Sequence, residues 1–136
     1  MTARYDLGFI GAGNMAEGIL AAAVAEGSYP AERIVVADPV AERRGLFAEQ
    51  FGVTVVEDNR AVAAESSRVV VAVKPQSFDE VAAGLAGAGR DDQLWISIMA
   101  GVGTERIAAG LGGDGGDVRV VRVMPNLPIM VRRRAP

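Results

Sequence analysis

The chain has 136 residues, 50% of them hydrophobic and 23% charged, with a net charge of -3. That length suits one domain with a real core, and the slight negative balance offers nucleic acid no positive field. With no cysteine and no histidine, disulfides, thiolate catalysis, the usual zinc sites and a Ser-His-Asp arrangement are excluded.

Short apolar runs alternate with helical patterns along the chain. Tyr5–Ile10 reads as a first strand, and Asn14–Glu26 as a helix with Met15, Ile19, Leu20, Ala23 and Val24 on one face. Gly27 ends that helix, with Pro30 close behind. Arg33–Ala37 is a second strand, apolar enough for a sheet buried on both faces. Val40–Phe51 is a helix with Gly52 as its C-cap, and Thr54–Val56 a short third strand. Asn59–Glu65 is a brief helix, and Arg68–Val73 is the most β-branched strand. Phe78–Leu85 is helical, Leu94–Ile98 is a fifth strand, Thr104–Leu111 a helix and Val118–Val123 a sixth strand. The glycine-rich Gly110–Gly116 stretch has no Lys, Ser or Thr after it, so it reads as a flexible connection and not as a phosphate loop.

Strand and helix take turns throughout. The fold class expected is α/β: a Rossmann-type, doubly wound, mostly parallel sheet of about six strands. The longest apolar stretch, Leu7–Val24, is broken by Asn14, Glu17 and several glycines, so no membrane span is expected. No signal peptide is apparent at the N-terminus, and the cytoplasm is the expected compartment.

Gly11-Ala12-Gly13-Asn14-Met15-Ala16 fits G-x-G-x-x-G/A between the first strand and the first helix. Gly11 permits the tight turn, Gly13 lets a pyrophosphate approach the backbone, and Ala16 lets the helix pack closely on the strand. The helix N-terminus then offers N–H groups and partial positive charge to phosphates. The motif alone is weak, but here it has its strand, its helix and an acid, Asp38, after the second strand. NAD(H) or NADP(H) is the cofactor expected. Asp38 suits the adenosine ribose hydroxyls of NAD(H); the alternative role is N-cap of the next helix, with Pro39 at its first position. Arg43 and Arg44 lie close behind, either as a clamp for a 2′-phosphate or as a solvated helix face. Ala72-Val73-Lys74-Pro75 closes the fourth strand and Ile98-Met99-Ala100-Gly101 the fifth, on the side where open α/β sheets bind ligands. Lys74, the only lysine among fourteen basic residues, could meet the cofactor's ribose or phosphates there.

Four segments together resemble pyrroline-5-carboxylate reductase: Gly8–Ala16, Ala72-Val73-Lys74-Pro75-Gln76, Ser97–Val102 and Arg122-Val123-Met124-Pro125-Asn126. The resemblance runs to about Val131 and implies NAD(P)H-dependent reduction of 1-pyrroline-5-carboxylate to L-proline. It implies that Ile10, Gly11, Ala12, Gly13, Asn14 and Met15 line the pyrophosphate and that Asn59 contacts the adenosine end. Asn59 read without the resemblance is a helix N-cap. The resemblance further implies that Ala72, Val73, Lys74 and Pro75 meet the ribose and nicotinamide side. Ala100, Gly101 and Asn126 would then lie near nicotinamide and substrate. No catalytic residue and no metal ligand is assigned.

Met99 stands at a position usually small in that family, and Leu127 where a threonine is usual. The family also continues into a helical C-terminal domain that builds the dimer, higher oligomers and much of the substrate pocket. Residues 1–131 thus read as an NAD(P)-binding domain and residues 132–136, three arginines then Ala135 and Pro136, as an atypical tail. Three CGN arginine codons read one nucleotide later can encode Gly-acid-Gly, so an out-of-frame tail is one expectation and a truncation the other. Sequencing the downstream DNA tests the first. Two other functional readings stay open at this point: a stand-alone NAD(P)-binding module without turnover, and the cofactor domain of another reductase, such as one acting on β-hydroxy acids.

Overall fold

The computed structural model describes residues 3–112 and 118–123. Six parallel strands form one sheet in the order β3-β2-β1-β4-β5-β6. These are β1 (Leu7–Ile10), β2 (Ile34–Ala37), β3 (Thr54–Val56), β4 (Arg68–Val71), β5 (Leu94–Ser97) and β6 (Arg119–Arg122). The helices are α1 (Asn14–Glu26), α2 (Ala41–Phe51), α3 (Asn59–Glu65), α4 (Phe78–Gly84) and α5 (Thr104–Gly112). This is the expected doubly wound α/β architecture, with every strand in its expected place.

The sheet is apolar on both faces because helices cover both. Side chains alternate along each strand. Leu7 and Phe9 of β1, Ile34 and Val36 of β2 and Val70 of β4 pack with Ala16 and Leu20 of α1 and Phe47 of α2. Ile10, Val35, Ala37, Val69 and Val71 face the other way, onto Val62 of α3, Phe78 and Ala82 of α4 and Ile107 and Leu111 of α5. Phe9, Phe47 and Phe78 are fully buried.

The boundaries differ from expectation in a few places. Tyr5 stands outside β1 and makes only an isolated bridge with Ser66. β4 ends at Val71, two residues early, because Ala72 and Val73 turn toward Pro75. The burial stripe of α1 is centred on Ala16 and Leu20, with Ile19 and Val24 at its flank, and Met15 is exposed. The reason is steric: the small Ala16 lets the first turn sit close on the sheet, which rotates Met15 away. Gly27 and Gly52 close α1 and α2 as left-handed caps, as expected.

Arg33, just ahead of β2, pins the segment that enters β1. It donates to the carbonyls of Ala3 and Arg4 and to the Asp6 carboxylate at 2.8 Å. The Arg33 guanidinium hydrogen-bonded to Asp6 holds that carboxyl below its usual range. A carboxyl lowered on folding contributes stability above its unfolded pKa of about 4, and that contribution fades as pH falls through the folded value. Asp6→Asn is therefore expected to be slightly less stable than the parent at pH 7, and to match it near pH 2. The pair is half-exposed, so the effect is small. Thermal melts of both proteins across that range check it; a gap that widens on acidification contradicts it.

Candidate cofactor site

In an open parallel sheet, ligands bind at the carboxyl ends of the strands where the connections change face. Here that point lies between β1 and β4. After β1 the chain turns to the face that carries α1, and after β4 to the face that carries α4. A cleft of about 630 Å³ opens at this place, lined by the loops that follow β1, β2, β3 and β4 and by one side of α4. Gly11, Ala12, Gly13, Asp38, Asn59, Ala72, Val73 and Lys74, all expected from the sequence, line it together.

The two turn glycines do different work. Gly11 has φ +105°, and a Cβ there would stand 2.8 Å from the Ala72 carbonyl oxygen. It therefore serves the approach of β1 to β4. Gly13 has φ -85°, and a Cβ there would meet nothing within 4 Å. No protein atom requires glycine at this position, so the space above Gly13 is free for a ligand. Gly13 is also the N-cap of α1 and provides no side-chain cap, which leaves the N–H groups of the first turn open toward that space. A phosphate fits this arrangement, and so do the residues that would hold a dinucleotide.

Ala12, between the glycines, is held from both sides. Its N–H donates to Asp38 Oδ2 at 2.8 Å, and its carbonyl accepts from Arg43 Nε at 2.6 Å. The other Asp38 oxygen accepts from the Val40 N–H at 2.8 Å. Asp38 is thus not the N-cap of α2, which starts at Ala41 with Val40 in the cap position. It ties the β2–α2 turn to the glycine turn instead. Asp38→Ala leaves two backbone N–H groups without their acceptor and is expected to cost about 1–2 kcal/mol. Urea denaturation measures this, and an unchanged midpoint would show the ties to be idle.

The paired arginines are neither a solvated face nor a free clamp. Arg43 also donates to Glu17 at 3.0 Å and lies over the Phe47 ring at 5.5 Å. Arg44 donates to the Asp38 carbonyl at 2.8 Å and lies 3.9 Å from Glu57. Both turn inward because α2 starts directly beside carbonyls that lack partners. Asn59 is the first residue of α3, and the N-cap is Asp58, which accepts from the Arg60 N–H at 2.9 Å. Lys74 is exposed, and its ammonium makes no hydrogen bond or ion pair among the described residues.

Other expected positions stand apart from the cleft. Ile10 is fully buried, and its carbonyl accepts from the Ala72 N–H. Asn14 and Met15 are exposed in the first turn of α1, and Pro75 opens a short 3-10 turn. Ala100 and Gly101 form an exposed turn after β5, with Gly101 at φ +75°. Met99 fills the core, which explains a large residue there. Asn126, the Met124–Pro128 loop and the tail lie outside the described residues. Sequence reasoning missed Glu57, Arg60, Ser77 and Glu80, which also line the cleft. Glu57 was within reach: it follows β3 just as Asp38 follows β2.

Known proteins share this sequence and fold. The family described as NADP oxidoreductase, coenzyme F420-dependent, matches residues 6–101. A pyrroline-5-carboxylate reductase of Synechocystis is 44% identical over 93% of this chain and 45% of its own length. The Haemophilus influenzae enzyme of the same name is 42% identical over 92% of this chain and 44% of its own. Among solved structures, a pyrroline-5-carboxylate reductase from Coxiella burnetii superposes with a TM-score of 0.79 at 36% identity, covering 95% of this chain and 47% of that one. A Plasmodium falciparum pyrroline carboxylate reductase with NADP bound shares the fold, with a TM-score of 0.76 at 22% identity, over 96% of this chain and 46% of that one. The chain spans less than half the length of these relatives. With its glycine turn, its six-stranded parallel sheet and a match across residues 6–101, the chain belongs to the NADP oxidoreductase, coenzyme F420-dependent family and is similar, over nearly all its length, to pyrroline-5-carboxylate reductases.

Proposed function

We propose that this chain is the cofactor-binding part of a reductase that converts 1-pyrroline-5-carboxylate to L-proline with NAD(P)H. The observation that carries the proposal is the 44% identity to a pyrroline-5-carboxylate reductase across 93% of this chain. The cleft supports it from the physical side. A prephenate dehydrogenase superposes with a TM-score of 0.70 but at 14% identity, a likeness of fold alone, so reductases of other classes are not favoured.

When bound, the dinucleotide supplies a hydride to the carbon of the C=N bond, whose nitrogen takes up a proton. The chain's own work is to bind and orient. Gly13 and the open first turn of α1 receive the pyrophosphate. Asp38 and Asn59 face the adenosine end, and Ala72 to Lys74 the ribose and nicotinamide side. Lys74 supplies the cation for a phosphate or a ribose oxygen. Ala100, Gly101 and Asn126 are proposed to border the nicotinamide and the substrate. Val121 of β6 and Val123 just after it, each 43% exposed, give this edge an apolar face. In this reading the part of the relatives that the chain does not span covers that edge, completes the substrate pocket and builds the oligomer. Among the described residues no helix is long and apolar enough to cross a membrane.

The test has two arms. The purified chain is titrated with NADH and NADPH by nicotinamide fluorescence, and binding without turnover is expected. The C-terminal part of the Synechocystis relative is then fused after Val131, and pyrroline-5-carboxylate-dependent oxidation of NAD(P)H is expected to appear. A folded, dinucleotide-binding fusion that stays inactive overturns the substrate assignment.

A further inference from the structure

We infer that the cleft selects NAD(H) against NADP(H), through carboxylates gathered at the ends of β2 and β3 and through the commitment of both nearby arginines to structural bonds. The inference rests on the reading of the cleft as a dinucleotide site. It runs against the NADP in the family's description, which makes it open to a sharp test.

Ala37 and Val56 are register partners on neighbouring parallel strands. The residues that follow them, Asp38 and Glu57, therefore leave the sheet side by side, with Asp58 next, and all three line the cleft. The adenosine ribose of a dinucleotide held on the glycine turn comes to the end of β2. NAD(H) presents a 2′-hydroxyl there, which can donate to a carboxylate. NADP(H) presents a phosphate of about two negative charges instead. Asp38 cannot swing away cheaply, because each of its oxygens accepts a 2.8 Å bond from a backbone N–H. Each oxygen keeps a further lone pair, so the same bonds leave it able to accept from a ribose hydroxyl.

A phosphate would need a cation, and the nearby ones are committed. Arg43 is held by the Ala12 carbonyl, Glu17 and the Phe47 ring. Arg44 is held by the Asp38 carbonyl and faces Glu57. Arg60, also in the lining, donates to the carbonyls of Gly84 and Ala86 at the C-terminal end of α4. Lys74 has no partner among the described residues but follows β4, two strands from β2. Neighbouring strands lie about 4.8 Å apart, which puts the strand it follows about 10 Å from β2. Among the described residues, a 2′-phosphate at the end of β2 thus meets three carboxylates and no uncommitted cation beside them.

The experiment compares the dissociation constants of NADH and NADPH for the purified chain at low and high salt, in the parent, Asp38→Asn and Glu57→Gln. In the parent, NADH is expected to bind at least tenfold more tightly, with the ratio shrinking as salt screens the repulsion. Asp38→Asn loses a backbone tie and can weaken both ligands, so the ratio is its readout, and the ratio is expected to fall. Glu57→Gln touches no backbone tie; it removes an acid and leaves Arg44 held by the Asp38 carbonyl alone, so the affinity for NADPH relative to NADH is expected to rise. Equal or tighter binding of NADPH by the parent overturns the preference alone, as does a ratio that ignores both substitutions. Failure to bind either dinucleotide overturns the cofactor reading and the preference with it.

Discussion

Gly11→Ala is expected to cost about 3 kcal/mol of stability, summing backbone strain and overpacking, and to abolish dinucleotide binding. Two effects act together at this residue. Its φ of +105° is a conformation that a side chain rarely adopts. Its Cβ would also fall 2.8 Å and 2.9 Å from the Ala72 carbonyl oxygen and carbon, and 3.2 Å from the Val73 nitrogen. These are backbone atoms, so no rotamer change relieves the clash. Relief requires moving the end of β4 away from β1, against the bond from the Ala72 N–H to the Ile10 carbonyl at 2.8 Å. The glycine turn is anchored on its other side by the Gly11 N–H, which donates to the Ala37 carbonyl at 2.9 Å. The clash thus falls where three strands and the cleft meet. For a domain of this size the loss corresponds to a fall in melting temperature on the order of 10 °C. Thermal melts and NADH titration of the same sample check it; near-parental stability would show that the close approach of Gly11 to Ala72 is not rigid.

Gly13→Ala is expected to do the opposite: leave stability within about 0.5 kcal/mol of the parent, as at sites free of packing constraints, and weaken NADH binding by tenfold or more. At φ -85° alanine is unstrained, and its Cβ would touch no protein atom within 4 Å. What it would fill is the space through which a pyrophosphate reaches the open N–H groups of α1. A tenfold loss is about 1.4 kcal/mol, modest for one methyl group against a phosphate oxygen. Gly13→Val is expected to lose binding altogether while still folding. Chemical denaturation and fluorescence titration on the two variants give both numbers. Parental affinity in Gly13→Ala would place the pyrophosphate elsewhere. Together the Gly11 and Gly13 variants separate an architectural glycine from a ligand-facing one, two roles the motif spells with one letter.

Much of this was legible in the residues because the signals are local. The apolar runs Leu7–Ile10, Ile34–Ala37 and Arg68–Val71 announce strands, and Gly27 and Gly52 announce helix ends, through the conformational preferences of short segments. The glycine turn was legible for the same reason, since its chemistry lies within six consecutive residues. The roles of Asp38, Arg43 and Arg44 were not. Each depends on a partner 26 or 31 residues away, or on where α2 begins, and several partners compete for each group. Asp38 read as a ribose acceptor or, alternatively, as a helix cap before Pro39; its tie to the Ala12 N–H arises because β1 lies beside β2 in the sheet. Arg43 looked like solvent-facing charge because helix periodicity says nothing of an unpartnered carbonyl across the turn.

The sequence by itself therefore determined the order of elements, the parallel sheet and the place of the glycine turn, because periodicity, capping residues and glycine spacing act within a few residues of chain. Only the tertiary structure decided which glycine is pressed against the sheet and which faces open space, which acids stand together at the cleft, and that the two arginines there are already bound. Those questions concern contacts between strands that lie far apart in the chain, and strand order, not local propensity, brings them together.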